Sequence, residues 1–407
     1  MRAEKWETAR LSTVLEKIID YRGKAPPKSA SGVRLITARN VRFGHLDLAH
    51  AEYIEEQQYE AWMNRGRPCA TDVLFTTEAP LANACIYPAD GKYAVGQRII
   101  TLRPDPSKLD SNYLLNFLLS PFGQGLIDRR SSGTTAKGIK SREFAKIEMP
   151  LPPLAEQRKI GSVLAAWDQA TETVDALIAN SRKQKIALMR ALLTGRTRLP
   201  GFDKEWTWSK FSDLFERVRD KNNVGDTNVL TISAQHGLIS QTEYFNKMVA
   251  SDDVRGYTLL RRGDFAYNKS YSDGYPFGAF KPLDRYDQGI VSSLYICFRL
   301  NGSGHDHDFL RHYFEAGLFN REVAAIAQEG ARNHGLLNVS VVDFFDTSLH
   351  TPPQYEQKAI AAVINDAERK ERMLTEQRDA LRREKMALMQ QLLTGKRRVD
   401  KTESEAA

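Results

Sequence analysis

His305-Asp306-His307-Asp308 places four potential metal-ligating side chains in a row. The run directly follows Asn301-Gly302-Ser303-Gly304, a turn signal, so a solvated loop is the favoured reading over a metal site. Chemistry on a flipped adenine needs an Asp/Asn-Pro-Pro-aromatic segment to hold its amino group. The Pro-Pro pairs sit in Ala25-Pro26-Pro27-Lys28, Leu151-Pro152-Pro153-Leu154 and Thr351-Pro352-Pro353-Gln354, and none fits. A glycine-rich cofactor cradle, a GxxxxGK[ST] nucleotide loop and a carboxylate-plus-lysine nuclease cluster are all missing from the sequence. The chain therefore reads as non-catalytic, with no cofactor and no metal.

What remains is polar residues of the kind that read base edges, carried on loop-like segments. In the first 150 residues these are Thr37, Arg39, Asn40 and Arg42 after a strand-like run, Gln97 and Arg98 opening another, and Thr134, Thr135, Lys137 and Lys140 in a small polar loop. Between 201 and 350 the counterparts are Gln235 and His236, Asn268, Lys269 and Tyr271, Ser292, and Arg332 with Asn333. Any one of them could be an ordinary surface turn. Their recurrence at corresponding places favours a shared reading role.

The elements that must position these loops come in two copies. Pro152-Pro153-Leu154-Ala155-Glu156-Gln157 returns as Pro352-Pro353-Gln354-Tyr355-Glu356-Gln357, and Leu192-Leu193-Thr194-Gly195 returns as Leu392-Leu393-Thr394-Gly395. Trp6, Leu11, Ser12 and Glu16 align with Trp206, Phe211, Ser212 and Glu216, so the period is constant and implies two equivalent structural units. Short β-like runs (Val33–Ala38, Val73–Thr77, Arg98–Leu102, Val229–Ser233, Asp264–Tyr267, Ser293–Leu300) and helices near Asn112–Leu119 and Phe309–Phe314 predict an α+β domain in each copy. Trp6 and Trp206 read as core anchors rather than stacking platforms.

Each copy ends in a proline-led helix of about 40 residues, a rod of roughly 60 Å, closed by a glycine C-cap at Gly195 or Gly395. One narrow apolar seam follows Ile160, Val163, Trp167, Val174, Leu177 and Leu188, with Ser181 and Gln184 as polar interruptions. The second helix repeats it through Ile360, Val363, Leu374, Leu381 and Leu388. Such a rod needs a partner, and its duplicate is the obvious one, giving a coiled coil. An antiparallel pair would separate the two domains and create a pseudo-two-fold axis. Arg182, Lys183, Arg382 and Arg383 read as solvated flanks. Arg196, Arg198, Lys396, Arg397 and Arg398 suit a helix C-terminus, with DNA phosphate as the second reading.

With 407 residues the chain suggests two to four domains, and 42% hydrophobic with 27% charged residues is ordinary for a soluble protein. No apolar run approaches bilayer length, and Met1–Glu7 holds no signal core. Cys69, Cys85 and Cys297 lack CxxC spacing and fit a reducing compartment, so a cytoplasmic protein is expected. The net charge of +7 is compatible with a polyanionic partner.

On the doubled Leu151–Ile160 and Thr351–Ile360 segments and the doubled Leu-Leu-Thr-Gly ends, the chain resembles the specificity subunit of type I restriction-modification systems over essentially its whole length. The resemblance implies two target-recognition domains (1–150 and 201–350), each reading half of a bipartite double-stranded DNA target. It implies central and C-terminal repeated helical regions (151–200 and 351–400) that set the spacer and dock two modification (methyltransferase) subunits, with restriction/translocase subunits joining through the complex. Residues 401–407 are expected to be a disordered tail. A self-contained nucleic-acid enzyme and a coiled-coil protein scaffold are the competing readings.

Overall fold

A computed structural model describes residues 6–133, 137–233, 236–245, 253–271, 274–302, 304–327 and 337–399. It divides into two compact units: Met1–Ala176 with Thr375–Ala407, and Leu177–Leu374. The division falls inside both long helices, Leu154–Leu192 and Gln354–Leu393, so each unit holds half of each.

In the first unit, Glu7–Arg10 pairs antiparallel with Glu148–Leu151. A four-stranded antiparallel sheet runs Leu15–Asp20, Ile99–Pro104, Val73–Thr76, Ala84–Ile86. A second sheet places Val33–Ile36 between Glu52–Ile54 (antiparallel) and Tyr93–Val95 (parallel). Helix Ser111–Leu119 is capped by the Asp110 carboxylate, which accepts from the Tyr113 N–H. Its apolar face, with Tyr113, Leu114 and Phe117, is buried in a core that also takes Phe75, Phe144, Ile160 and Leu164.

The second unit repeats the plan with different side chains. Thr207–Lys210 pairs with Ser348–Thr351 in the same register, and a four-stranded sheet runs Phe215–Arg217, Ile296–Leu300, Phe265–Asn268, Ala279–Pro282. Its core is aromatic: Phe211, Phe298, Phe314 and Phe344 meet at the end of helix His307–Glu315. The His305–Asp308 run is not the solvated loop expected. Asp306 caps this helix through the Phe309 N–H, and His305 Nδ1 lies 2.9 Å from Gln357 Nε2.

Each unit closes with an element borrowed from the other copy of the repeat. Met389, Leu392 and Leu393 lie in the first core, and Met189, Leu192 and Leu193 in the second. The helix halves run antiparallel in both. Asp175 meets Arg382 at 2.8 Å and Asp168 meets Lys385 in the first unit; Arg182 meets Glu371 at 2.6 Å in the second. Arg182 and Arg382 are therefore paired across the helices rather than merely solvated. Gly195 and Gly395 both have φ +70°, the left-handed conformation expected of a C-cap.

The seam needs correcting in detail. Ile160, Val174 and Ile360 are buried as predicted, and Ser181 is a buried polar interruption. Leu177 is 48% exposed and Ile178 takes its place; Gln184 is exposed, and Leu164 and Ile364 join the buried set. Val163, Trp167, Leu188, Val363, Leu374, Leu381 and Leu388 are half-buried, forming the margins of the stripe.

Candidate nucleic-acid interface

The first candidate loop leaves strand Val33–Ile36 and turns at once. The Asn40 N–H donates to the Thr37 carbonyl at 2.9 Å. The Asn40 side-chain oxygen accepts from the Thr37 N–H and hydroxyl, both at 2.8 Å, while its Nδ2 donates to the Asp47 and His50 carbonyls at 2.9 Å. With its amide so engaged and its side chain buried, Asn40 does not face outward as expected; it shapes the loop. Its neighbour Arg39 is exposed as a result. Arg42 is turned back onto Asp47 at 3.3 Å.

The second loop is fastened to the first, because Gly96 N–H donates to the Ile36 carbonyl at 2.8 Å. Thr37, Arg39, Gln97 and Arg98 consequently line one cleft of about 310 Å³. Lys28 and Glu52, ion-paired at 2.6 Å, line it too, and nothing in their sequence surroundings marked them for it. Arg98 is exposed and lies 3.3 Å from Glu78.

The third loop comes alongside through Thr77. Thr77 N–H donates to the Arg98 carbonyl, and the Thr77 carbonyl accepts from the Ile139 N–H, each at 3.0 Å. Glu78 and Gly138 pair as an isolated bridge. Lys137 pairs with Asp128, and Lys140 is exposed. Thr134 and Thr135 lie outside the described residues. Three segments far apart in sequence are thus joined by main-chain hydrogen bonds in one unit.

A second cleft opens beside Ser132 and Lys140, lined also by Arg22, Arg130, Ser141, Arg142 and Glu143. Arg22 grips Asp20 with Nη2 to Oδ2 at 2.6 Å and Nε to both carboxylate oxygens, and donates to the Ile139 carbonyl at 3.1 Å. Burial pushes the Asp20 carboxyl up, but hydrogen bonds from Arg22 and Ser141 outweigh it and hold the group below the ordinary aspartate value. Arg22, Arg130 and Arg142 were missed in the sequence because they fall in the turn after strand Leu15–Asp20 and on two helices, away from the polar loops singled out.

In the second unit Lys269 repeats the Thr77 contact, its carbonyl accepting from the Leu337 N–H at 3.0 Å. Asn268 Oδ1 accepts from the Ser270 N–H at 3.1 Å, Tyr271 is 63% exposed, and Ser292 accepts from the Leu294 N–H at 3.3 Å. His236 is exposed, its N–H on Ser233 Oγ. Gln235, Arg332 and Asn333 lie outside the described residues. Lys269 is thereby placed beside Leu337; no described contact joins Asn268 or Lys269 to His236.

The helix-end arginines belong elsewhere. Arg198 forks onto Glu356 with both contacts at 2.6 Å, and Arg398 onto Glu156 at 2.6 and 2.8 Å. Their guanidinium groups lie over Trp206 and Trp6, at 5.8 and 5.2 Å from the ring centroids. This accounts for the Glu-Gln signature: the Glu takes the arginine. The following Gln157 or Gln357 accepts from the Asp110 or Asp306 N–H and donates to the Pro152 or Pro352 carbonyl. Burial pushes the Cys85 and Cys297 thiols up to about 12, leaving them inert as nucleophiles. Among the described residues no helix is long and apolar enough to cross a membrane.

Comparison with known proteins converges on one family. Residues 64–180 match the family model described as the type I restriction modification DNA specificity domain. A putative type I restriction enzyme MjaX specificity subunit of Methanocaldococcus jannaschii is 26% identical over 197 residues, 47% of this chain and 46% of that protein; the chain thus spans about half the length of this relative. The MjaVIII specificity subunit of the same organism is 22% identical over 76% of this chain and 75% of its own. Among solved structures, the HsdS subunit of Thermoanaerobacter tengcongensis aligns with a TM-score of 0.50 at 17% identity, covering 96% of this chain and 97% of that one. The type I system S subunit of M. genitalium aligns at 0.55 and 12%, covering 97% of each chain. With its repeat and two α+β units with their exchanged helix ends, the chain is similar in sequence to type I restriction-modification specificity subunits and in fold to solved S subunits.

Proposed function

We propose that this chain is the non-catalytic DNA-reading subunit of a type I restriction-modification complex. Each α+β domain (1–150 and 201–350) reads one half of a bipartite target. The repeated helices (151–200 and 351–400) set the gap between the halves and dock two modification subunits, and restriction/translocase subunits join through that complex. The observation that carries the reading is the gathering of Thr37, Arg39, Gln97 and Arg98 into one cleft by main-chain hydrogen bonds. Donors and acceptors held this way suit base edges in a major groove, while a loop shaped by a buried Asn40 keeps Arg39 presented without a large entropy cost on binding.

The test is to map methylated adenines in the genome of a host carrying this chain with its modification partner. Two short half-sequences separated by a fixed gap are expected. Methylation without a bipartite sequence defeats the reading. Methyl transfer by the purified chain alone, abolished by one substitution in it, favours the self-contained enzyme instead.

A further inference from the structure

We infer that the cleft between Arg22, Arg130, Lys140 and Arg142 in the first unit is a seat for DNA backbone phosphate, and that the described residues of the second unit do not reproduce it. The inference rests on the DNA-reading function proposed above and assigns it a site outside the base-reading cleft.

The cleft has a volume of about 680 Å³ and is lined by four cations, two serine hydroxyls and one carboxylate, Glu143. Arg22 is fixed in place by Asp20 and by the Ile139 carbonyl. Lys140 and Arg142 are exposed and form no ion pair among the described residues, and Arg130 lies 3.9 Å from Glu143, too far for a hydrogen bond. A cleft with this excess of positive charge attracts anions, and its spread of donors suits one with several acceptor oxygens. A phosphodiester is such an anion, and arginine forks match its geometry.

Its position relative to the reading cleft supports the same assignment. Ala79 lines the reading cleft, Ser132 and Lys140 line the basic one, and the Glu78–Gly138 bridge ties their two segments together. Neighbouring paired segments lie about 5 Å apart, so a duplex with its bases at the first cleft has its backbone within reach of the second. Phosphate contacts of this kind fix register without carrying sequence information.

The second unit differs at the matching positions. Phe144 and Phe344 are both core residues one period apart, and on that register Lys140 and Arg142 become Ser340 and Val342. Arg22 becomes Asn222, a buried residue whose amide is taken up by the Asp226 and Val254 carbonyls. The half-site read by the first unit is thus the one held by sequence-independent charge here.

The test uses the full chain assembled with its modification subunits and a fluorescent duplex carrying the target. Binding is measured from about 50 to 200 mM salt for the wild type and for Lys140→Gln/Arg142→Gln, two exposed sites at which the fold has little to lose. Affinity for target and for unrelated duplex should fall by the same factor, roughly tenfold at the lower salt, and the salt slope should shrink by about 1 to 2. The methylated sequence should not change, and Ser340→Gln in the second unit should leave the slope unaltered. An unchanged slope overturns the inference, as does a loss confined to the target sequence, which would make the cleft a base reader. Failure of the wild-type complex to prefer its target at any salt would instead strike at the proposed function itself.

Discussion

Arg398 closes the first unit onto Glu156 across 242 positions of sequence, its Nε and Nη2 reaching the two carboxylate oxygens at 2.6 and 2.8 Å. The Glu156 side chain is 5% exposed and that of Arg398 30%. Arg398→Ala would strand a buried carboxylate and uncover one face of Trp6. The expected loss is about 2–3 kcal/mol, read as a fall of roughly 5–10 °C in a thermal melt. Arg398→Lys should recover only part of it, since an ammonium cannot fork onto both oxygens. A double change with Glu156→Gln should cost less than the two single losses added together.

Asn40 and Arg39 are neighbours with opposite roles, and their substitutions should separate. Asn40→Ala removes four hydrogen bonds from a buried turn and should cost about 3 kcal/mol of stability as well as target binding. Arg39→Ala should leave the melt unchanged and weaken binding to the target by roughly 5- to 150-fold, the range for a lost base contact. Equal stability losses from both would remove the distinction.

His312 should give the second unit an acid sensitivity. It is fully buried, with Asn365 Oδ1 at 2.8 Å from Nε2, Arg311 at 3.1 Å, Glu368 3.9 Å from Nδ1 and Asp308 nearby on the same helix. Burial, and then the Arg311 charge, push its pKa below the ordinary histidine value of 6.5. The unfolded state therefore takes up a proton first as pH falls. Stability present above about pH 6.5 is lost as the pH drops below it toward the folded-state value. His307, raised despite burial by Asp308 and its neighbours, works in the opposite sense, so the comparison must be by difference. Wild type should lose stability relative to His312→Gln between pH 7.5 and 5.5 in denaturant titrations; a pH-independent difference would contradict this.

The helix pair can be tested as a ruler. One turn of four residues placed after Ala176 and another after Gln377 leaves the Asp175–Arg382 and Arg182–Glu371 pairs on their own sides of the insertion. The added length is about 6 Å with a rotation of only ~40°, close to two base pairs at about 3.4 Å each. Methylation should move to the same half-sequences with a gap about two base pairs longer. A folded variant that keeps the original gap would show that the helices do not set it.

Much of this was legible in the sequence because repetition is a long-range signal that survives divergence. The offset that matches Glu156 to Glu356 also matches the strand ladders that open and close each unit. The crossing of the clasp was not legible: nothing in the Pro-Pro-x-x-Glu-Gln segment says that its partner is Arg398 rather than the nearer Arg198. Asn40 was misread because a polar residue in a loop looks the same whether its amide faces water or the loop's own carbonyls. Leu177 was misread because Val174 leaves either a three- or a four-residue step open, and the structure takes four, to Ile178. The arginines of the basic cleft escaped because they meet only through the fold, on segments with no shared pattern.

The central claim is that each domain reads its own half of the target, and one exchange addresses it directly. Residues 1–150 are replaced by the corresponding region of a relative, and methylated bases are mapped in a host carrying the hybrid and the modification partner. One half-sequence should change to the relative's while the other half and the gap stay as they were. A change in both halves, or in neither, would contradict the account.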